Sequence, residues 1–315
     1  TCYKQRGQDA AIALGHQLVA GDERERRVAA WCAFARRHPQ GYLYCWRGGL
    51  RSQTVQQWLA DEGMVYPRIE GGYKALRRFL LEELARSLQQ ARLVLVSGRT
   101  GTGKTRVIHA LQGALDLEGL ARHRGSSFGH LPEPQPSQID FENAVSIAFL
   151  QQLARRSGSV VLEDEGRLIG RLALPENLRQ HMQQAPLLVV DEPLEERVAV
   201  ILDDYINDLG ARYALRHGVV DGPALHRARL LEGLDGIRKR LGGARHQALR
   251  ATMEQAFDLQ HSRGDPEVHR GWIRELLEAY YDPMYSYQLA QREGTELFRG
   301  NRQQIVDYAR SQLSC

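Results

Sequence analysis

One stretch constrains the fold more than any other: Gly98-Arg-Thr-Gly-Thr-Gly103-Lys104-Thr105, with the apolar run Leu93-Val-Leu-Val96 before it and a helical pattern after it. The G-x-x-x-x-G-K-[ST] spacing in that setting predicts a strand, a tight glycine loop and a helix that opens inside the loop. Glycines let successive backbone N–H groups turn inward around a phosphate. The helix N-terminus adds partial positive charge, and Lys104 supplies a point charge for an outer phosphate. Gly98, Thr100, Gly101, Gly103, Lys104 and Thr105 are therefore candidate phosphate-binding residues, and the Thr105 hydroxyl is placed to hold Mg²⁺. The pattern reads a diphosphate or triphosphate and leaves the rest of the ligand open.

Around this loop, strand patterns at 92–97, 159–163 and 186–191 alternate with helical patterns at 105–115, 141–156, 176–184 and 194–208. Such alternation predicts a parallel sheet covered by helices on both faces. Between them, 119–138 is rich in Gly, Ser and Pro and reads as a long loop, functional or mobile. Acids stand at two strand ends, Glu163 and Asp164 at the first and Asp191 at the second; either end could order a metal, and the first cluster is preferred. Arg167 and Arg171 follow the first cluster at helical spacing, as a phosphate clamp would. After 208 the text turns helical and charged. Leu76, Leu80, Leu84 and Leu88 recur every four residues in a connecting helix, so the expected division is 1–90, 91–208 and 209–315.

Upstream, 41–45 reads as a strand running into Cys45-Trp-Arg-Gly-Gly-Leu-Arg-Ser52, with a helix at 53–62 for which Ser52 suits the N-cap. A thiolate at Cys45 would have its pKa lowered by that helix and by Arg47 and Arg51, making it a nucleophile near neutral pH. The same donors would accept a tetrahedral anion such as thiosulfate, phosphate or selenophosphate. Cys2, Cys32 and Cys315 are expected to be inert. Four cysteines without paired metal-ligand spacing or a disulfide framework point to a reducing, cytoplasmic setting. No apolar run approaches the roughly 20 residues of a membrane-spanning helix.

The loop Cys45–Ser52 followed by Ile69-Glu-Gly-Gly-Tyr73 resembles the active-site loop and closing G-G-aromatic motif of rhodanese domains. With the phosphate loop, His123-Arg-Gly-Ser-Ser-Phe-Gly129 and Glu163-Asp-Glu-Gly-Arg-Leu-Ile-Gly170 added, the chain resembles the bacterial tRNA 2-selenouridine synthase family. The resemblance implies an α/β protein with a rhodanese-like domain, a P-loop parallel-sheet domain and a mainly helical C-terminal region. Rhodanese domains normally carry a strand ahead of the region where this chain opens, so the first domain is expected to be partial. The implied activity replaces the sulfur of a wobble 2-thiouridine in tRNA with selenium from selenophosphate, through an S-geranylated intermediate made from geranyl diphosphate. Cys45 would carry selenium as a selanyl-cysteine, the phosphate loop would cradle the diphosphate, and His123, Arg124, Ser126 and Ser127 become loop candidates. No tightly bound cofactor is implied.

Charge fits an RNA partner. The chain carries a net +4, and 211–250 sets Arg212, Arg216, Arg227, Arg229, Arg238, Lys239, Arg240, Arg245 and Arg250 against Asp221, Glu232 and Asp235. Arg212, Arg216, Arg238, Lys239 and Arg240 are candidate tRNA contacts, and Tyr280, Tyr281, Tyr285 and Tyr287 candidate stacking faces. The alternative is an ATP-dependent kinase or sulfurtransferase without an RNA substrate.

Overall fold

The computed structural model describes residues 2–46, 49–155, 159–290 and 294–313. The chain forms two compact units, Thr1–Glu82 and Glu83–Cys315.

In the first unit, helices α1 (Cys2–Leu18), α2 (Gly21–Arg37) and α3 (Leu50–Asp61) precede α4 (Gly72–Gln90), which runs on past the division. Val28, Cys32 and Ala35 recur on one face of α2 and bury against Leu59 of α3 and Tyr66. Cys32 is thus a packing residue, as expected. The strand predicted at 41–45 is reduced to a single parallel bridge between Leu43 and Arg68. Its ladder stops after Leu43 N–H to Pro67 O and Ile69 N–H to the Leu43 carbonyl, both 2.8 Å, because residues 67–69 are the one extended neighbour it finds among the described residues. Ser52 is not the N-cap of α3. The helix opens earlier, at Leu50, from Gly49 in the left-handed region (φ 85°), and the Ser52 hydroxyl turns back to donate to the Gly49 carbonyl at 2.9 Å.

The second unit begins with β1 (Arg92–Gly98), α5 (Lys104–Ala110), α6 (Leu117–Ala121), α7 (Gln138–Arg155) and β2 (Ser159–Glu163). A small hairpin of β3 (Leu168–Ile169) and β4 (Leu172–Ala173) follows, then α8 (Glu176–Gln184), β5 (Leu187–Val190) and α9 (Leu194–Ile201). The tail contains α10 (Leu209–Leu241), broken at Gly218, then α11 (Gly243–Arg263), α12 (Arg270–Leu276), α13 (Asp282–Ala290), β6 (Glu296–Gly300) and α14 (Arg302–Gln312).

The sheet order is β2-β1-β5-β6, all parallel. Alternation along β1 sends Leu93 and Leu95 to one apolar layer, with Phe141, Phe149 and Leu162, and Val94 and Val96 to the other, with Ile108 and Ile305. Both faces are buried, as a parallel sheet demands. A third cluster joins Val198 and the π-turn at Leu202–Asp208 to α10, α11 and α12. β6 shows that the tail, read from sequence as helical, also returns a strand to the sheet edge beside β5. Its alternation, Glu296-Leu-Phe-Arg-Gly300, is half-buried and too short to stand out from the helical text around it.

Two helical boundaries differ from expectation. The helix after the phosphate loop ends at Ala110 rather than 115, because Gly113 takes φ 80° and Leu115 bridges to Leu162 of β2. The stretch at 119–138 is partly regular: α6 covers its start, capped by Asp116, whose carboxylate accepts from the Gly119 N–H at 2.6 Å.

Candidate phosphate cleft and cysteine loop

β1 lies between β2 and β5, so the chain leaves its C-terminal end toward one side and returns on the other. Crevices of this kind at the carboxyl ends of parallel strands are where such sheets take ligands. The phosphate loop sits there and lines a cleft of about 850 Å³. Gly101 (φ 84°) and Gly103 (φ 77°) are left-handed, and a Cβ at Gly101 would stand 2.9 Å from the Arg197 carbonyl. Lys104 Nζ donates to the Gly98 carbonyl at 3.0 Å, which folds the lysine back over its own loop. Thr102, buried, closes the turn by donating to the Arg99 carbonyl at 2.9 Å.

Acids gather behind the loop. Thr105 Oγ1 donates to Glu118 Oε2 at 3.2 Å, and the Glu118 N–H donates to Glu163 Oε2 at 3.0 Å. Burial pushes Glu118 up to about 7 and Glu165 up to about 8, the latter helped by the negative charge of Glu118 beside it. Glu163, 1 % exposed and with its Oε1 unpartnered, is raised well above the usual carboxylate range by burial and by Glu118. Asp164 lines the cleft and accepts from the Ser97 hydroxyl at 2.7 Å. Asp191 is exposed on the far strand end, where its N–H pairs with the Gly300 carbonyl, and does not line the cleft. Among the described residues no group of three His, Cys, Asp or Glu side chains is arranged to hold a metal alone. Thr105 with Glu118 is the hard oxygen pair that would share Mg²⁺ with a bound phosphate.

The loop carrying His123, Arg124 and Ser126 forms another wall. Arg124 is held by Asp208 and Asp204, and Ser126 Oγ lies 2.8 Å from the Tyr205 hydroxyl. His123 is buried with both ring nitrogens unpartnered, and burial pushes it down to about 4, so it is neutral at pH 7. Ser127 does not line the cleft; its carbonyl packs against Gly233. Arg167 is exposed outside the cleft, and Arg171 donates to the Gln135 and Pro136 carbonyls. Their helical spacing does not survive, because the segment folds as the β3–β4 hairpin.

Sequence reasoning missed Arg197, 2 % exposed, which donates to the Thr100 carbonyl at 2.9 Å and forks onto Asp282 at 3.0 and 2.5 Å. It also missed Glu118. An Arg on an acidic helix start and a Glu beside a glycine carry no local signal of a site.

In the first unit, Cys45 is partly exposed, and its carbonyl accepts from the Tyr73 N–H at 2.9 Å. Gly72 (φ 59°) packs so tightly here that a Cβ would lie 2.4 Å from the Cys45 carbonyl oxygen. The Ile69–Tyr73 segment thus closes against the cysteine. Trp46 stacks on Tyr73 at 4.3 Å. Arg51 is exposed on α3, and Arg68, unforeseen from sequence, brings its guanidinium against Gly49. Arg47 lies outside the described residues.

Of the tyrosines expected as stacking faces, Tyr280 and Tyr281 are buried in the helical core because the π-turn at Leu277–Tyr281 packs them beside Trp272. Tyr285 lines the cleft with its hydroxyl 3.4 Å from that of Ser97, and Tyr287, exposed, lines it too. No helix among the described residues is long and apolar enough to cross a membrane.

Comparison with known proteins adds an independent line. The family model described as the tRNA 2-selenouridine synthase AAA domain matches residues 91–315. A tRNA 2-selenouridine synthase of Marinobacter nauticus is 53 % identical over 313 residues, covering 99 % of this chain and 85 % of the relative. Another, of Pseudomonas putida strain F1, is 52 % identical over 312 residues, covering 99 % and 84 %. A third, of Pseudomonas aeruginosa, is 52 % identical over 311 residues, covering 98 % and 84 %. No solved structure matches. With the family model spanning more than half of the chain and these relatives spanning nearly all of it, the chain belongs to the tRNA 2-selenouridine synthase family.

Proposed function

We propose that this chain is a selenotransferase that replaces the sulfur of a 2-thiouridine in tRNA with selenium from selenophosphate. The observation that carries the reading is the phosphate cleft, lined by the glycine loop and lying in a chain that matches members of the family almost end to end. A C2 thiocarbonyl sulfur is a poor leaving group. Attack by that sulfur on C1 of geranyl diphosphate would break the C–O bond, release diphosphate and leave a thioether. A selenium nucleophile could then add at C2 and expel geranylthiol.

The cleft suits the first step. Lys104, the loop N–H groups and Thr105 would hold the diphosphate, with Mg²⁺ shared between Thr105 and Glu118. On the cleft's own wall, Leu131, Val200, Ile201, Met284 and Leu289 offer the apolar surface against which a prenyl chain would lie. Cys45, in a rhodanese-like loop whose Gly49 has the Arg68 guanidinium against it, is the group we assign to handling the selenium donor; Arg47 and Arg51 belong to the same loop by sequence.

The test is mass spectrometry of nucleosides from 2-thiouridine tRNA incubated with geranyl diphosphate and selenophosphate. Wild type is expected to yield selenouridine, Lys104→Ala to lose geranylation, and Cys45→Ser to lose selenation while keeping geranylation. ATP turnover without any modified nucleoside would favour the kinase alternative.

A further inference from the structure

The basic stretch of the tail divides sharply once its partners are seen. Arg212 is held by Asp208 at 2.9 Å, Arg216 lies 3.7 Å from Glu133, Arg227 pairs with Asp258 at 2.5 Å and Arg229 with Glu232 at 2.7 Å. Arg250 takes Asp235 at 2.9 Å and Glu254 at 3.1 Å, and Asp235 also receives His246 at 2.7 Å. These carboxylates are occupied. Arg238, Lys239, Arg240 and Arg245 are all exposed and make no ion pair among the described residues.

These four lie together in the chain at one corner. The first three occupy the last turn of α10, Gly242 (φ 88°) turns the chain, and Arg245 stands in the first turn of α11. Buried Ile237 and Leu241 on one side, and His246 and Leu249 on the other, fix both helix ends in the core, so the cations are presented on a rigid support. A cation in the last turn of a helix is favoured by the helix dipole. One in the first turn is disfavoured, because the N-terminal N–H groups already carry positive charge. Arg245 thus stands at a helix start with no ion-pair partner among the described residues, the nearby Asp235 being taken by His246 and Arg250. Arginine, lysine and a helix N-terminus are the groups that contact nucleic-acid phosphates.

We infer that the α10–α11 corner is the docking surface for the tRNA phosphate backbone, and that the paired arginines of the same stretch are scaffolding. The inference rests on the tRNA-modifying reading. It removes Arg216 from the tRNA-binding candidates, assigns Arg212 to the wall of the phosphate cleft instead, and adds Arg245.

The test is fluorescence-anisotropy titration of the whole chain with unmodified tRNA transcript from about 50 to about 200 mM salt. Each phosphate neutralised contributes about 0.7–0.9 to the slope of log affinity against log salt, so R238A/K239A/R240A/R245A is expected to lower the slope by about three. Over that fourfold salt range this makes the variant's loss of affinity about 60-fold smaller than wild type's. R238K/R240K/R245K should keep the slope, since backbone contact needs charge rather than a planar fork. R227Q/R229Q, which removes paired arginines, should change it by less than one. Unchanged melting and diphosphate binding at the phosphate loop confirm that each variant is folded. A wild-type slope in the quadruple variant overturns the inference, as does an equal loss in R227Q/R229Q. Loss of binding to anionic vesicles with tRNA binding intact also overturns it, in favour of a membrane surface. Absence of tRNA binding by wild type overturns the tRNA reading itself.

Discussion

Arg197→Met tests whether the phosphate loop is held in shape by a buried charge. The guanidinium is 2 % exposed, forks onto both Asp282 oxygens and supports the Thr100 carbonyl at the loop apex. Removing one partner of a buried pair costs about 3–5 kcal/mol, chiefly because the other charge stays behind unpaired. Here Asp282 is 21 % exposed and has Arg99 at 3.8 Å, so part of its charge stays screened and the low end, about 3 kcal/mol, is expected. Methionine refills much of the volume, which keeps a cavity from dominating. Denaturant unfolding of the whole chain, followed by hydrogen exchange in residues 83–315, measures the loss. Adding Asp282→Leu removes the stranded charge, so the double variant should recover most of the stability. Diphosphate affinity should stay weakened in both, because Thr100 has lost its anchor. A cost below about 1 kcal/mol for the single variant, or a double variant as unstable as the sum of the singles, would refute the reasoning.

Two further perturbations follow from the same geometry. Gly72→Ala forces a left-handed alanine against the Cys45 carbonyl and is expected to cost about 1–3 kcal/mol and to abolish selenation. Gly63→Ala, also left-handed (φ 74°) but facing open space, should cost only the conformational part and leave activity intact. In metal-free buffer, raised carboxyl pKa values mean that the folded state holds protons the unfolded chain releases. The melting temperature should therefore fall as pH rises from about 4.5 through 7 to 8, and Glu118→Gln/Glu165→Gln should flatten that fall. A rising melting temperature over the same range would mean that these acids are ionised in the folded chain.

The sequence by itself determined the phosphate loop and the parallel sheet around it. A glycine spacing that only a tight turn can use, set between an apolar run and a helical pattern, admits few other structures. It also singled out Cys45, because charge, glycine and helix start coincide within eight residues, and it marked Glu163 and Asp164 by their place at a strand end. Tertiary structure decided what no local pattern encodes. Arg197 and Glu118 reach the loop from distant positions, Asp282 lies 85 residues from its partner Arg197, and β6 joins the sheet from the tail. Ser52 lost its expected cap role because Gly49 reaches a left-handed conformation that starts the helix sooner. Whether Tyr280 and Tyr281 would stack on a ligand or pack between helices was open in the sequence, and the tertiary structure packs both in the helical core, with Tyr281 also touching the cleft. Which arginines are free to meet a polyanion depends on where each carboxylate lies in space, and composition alone counts charges without pairing them.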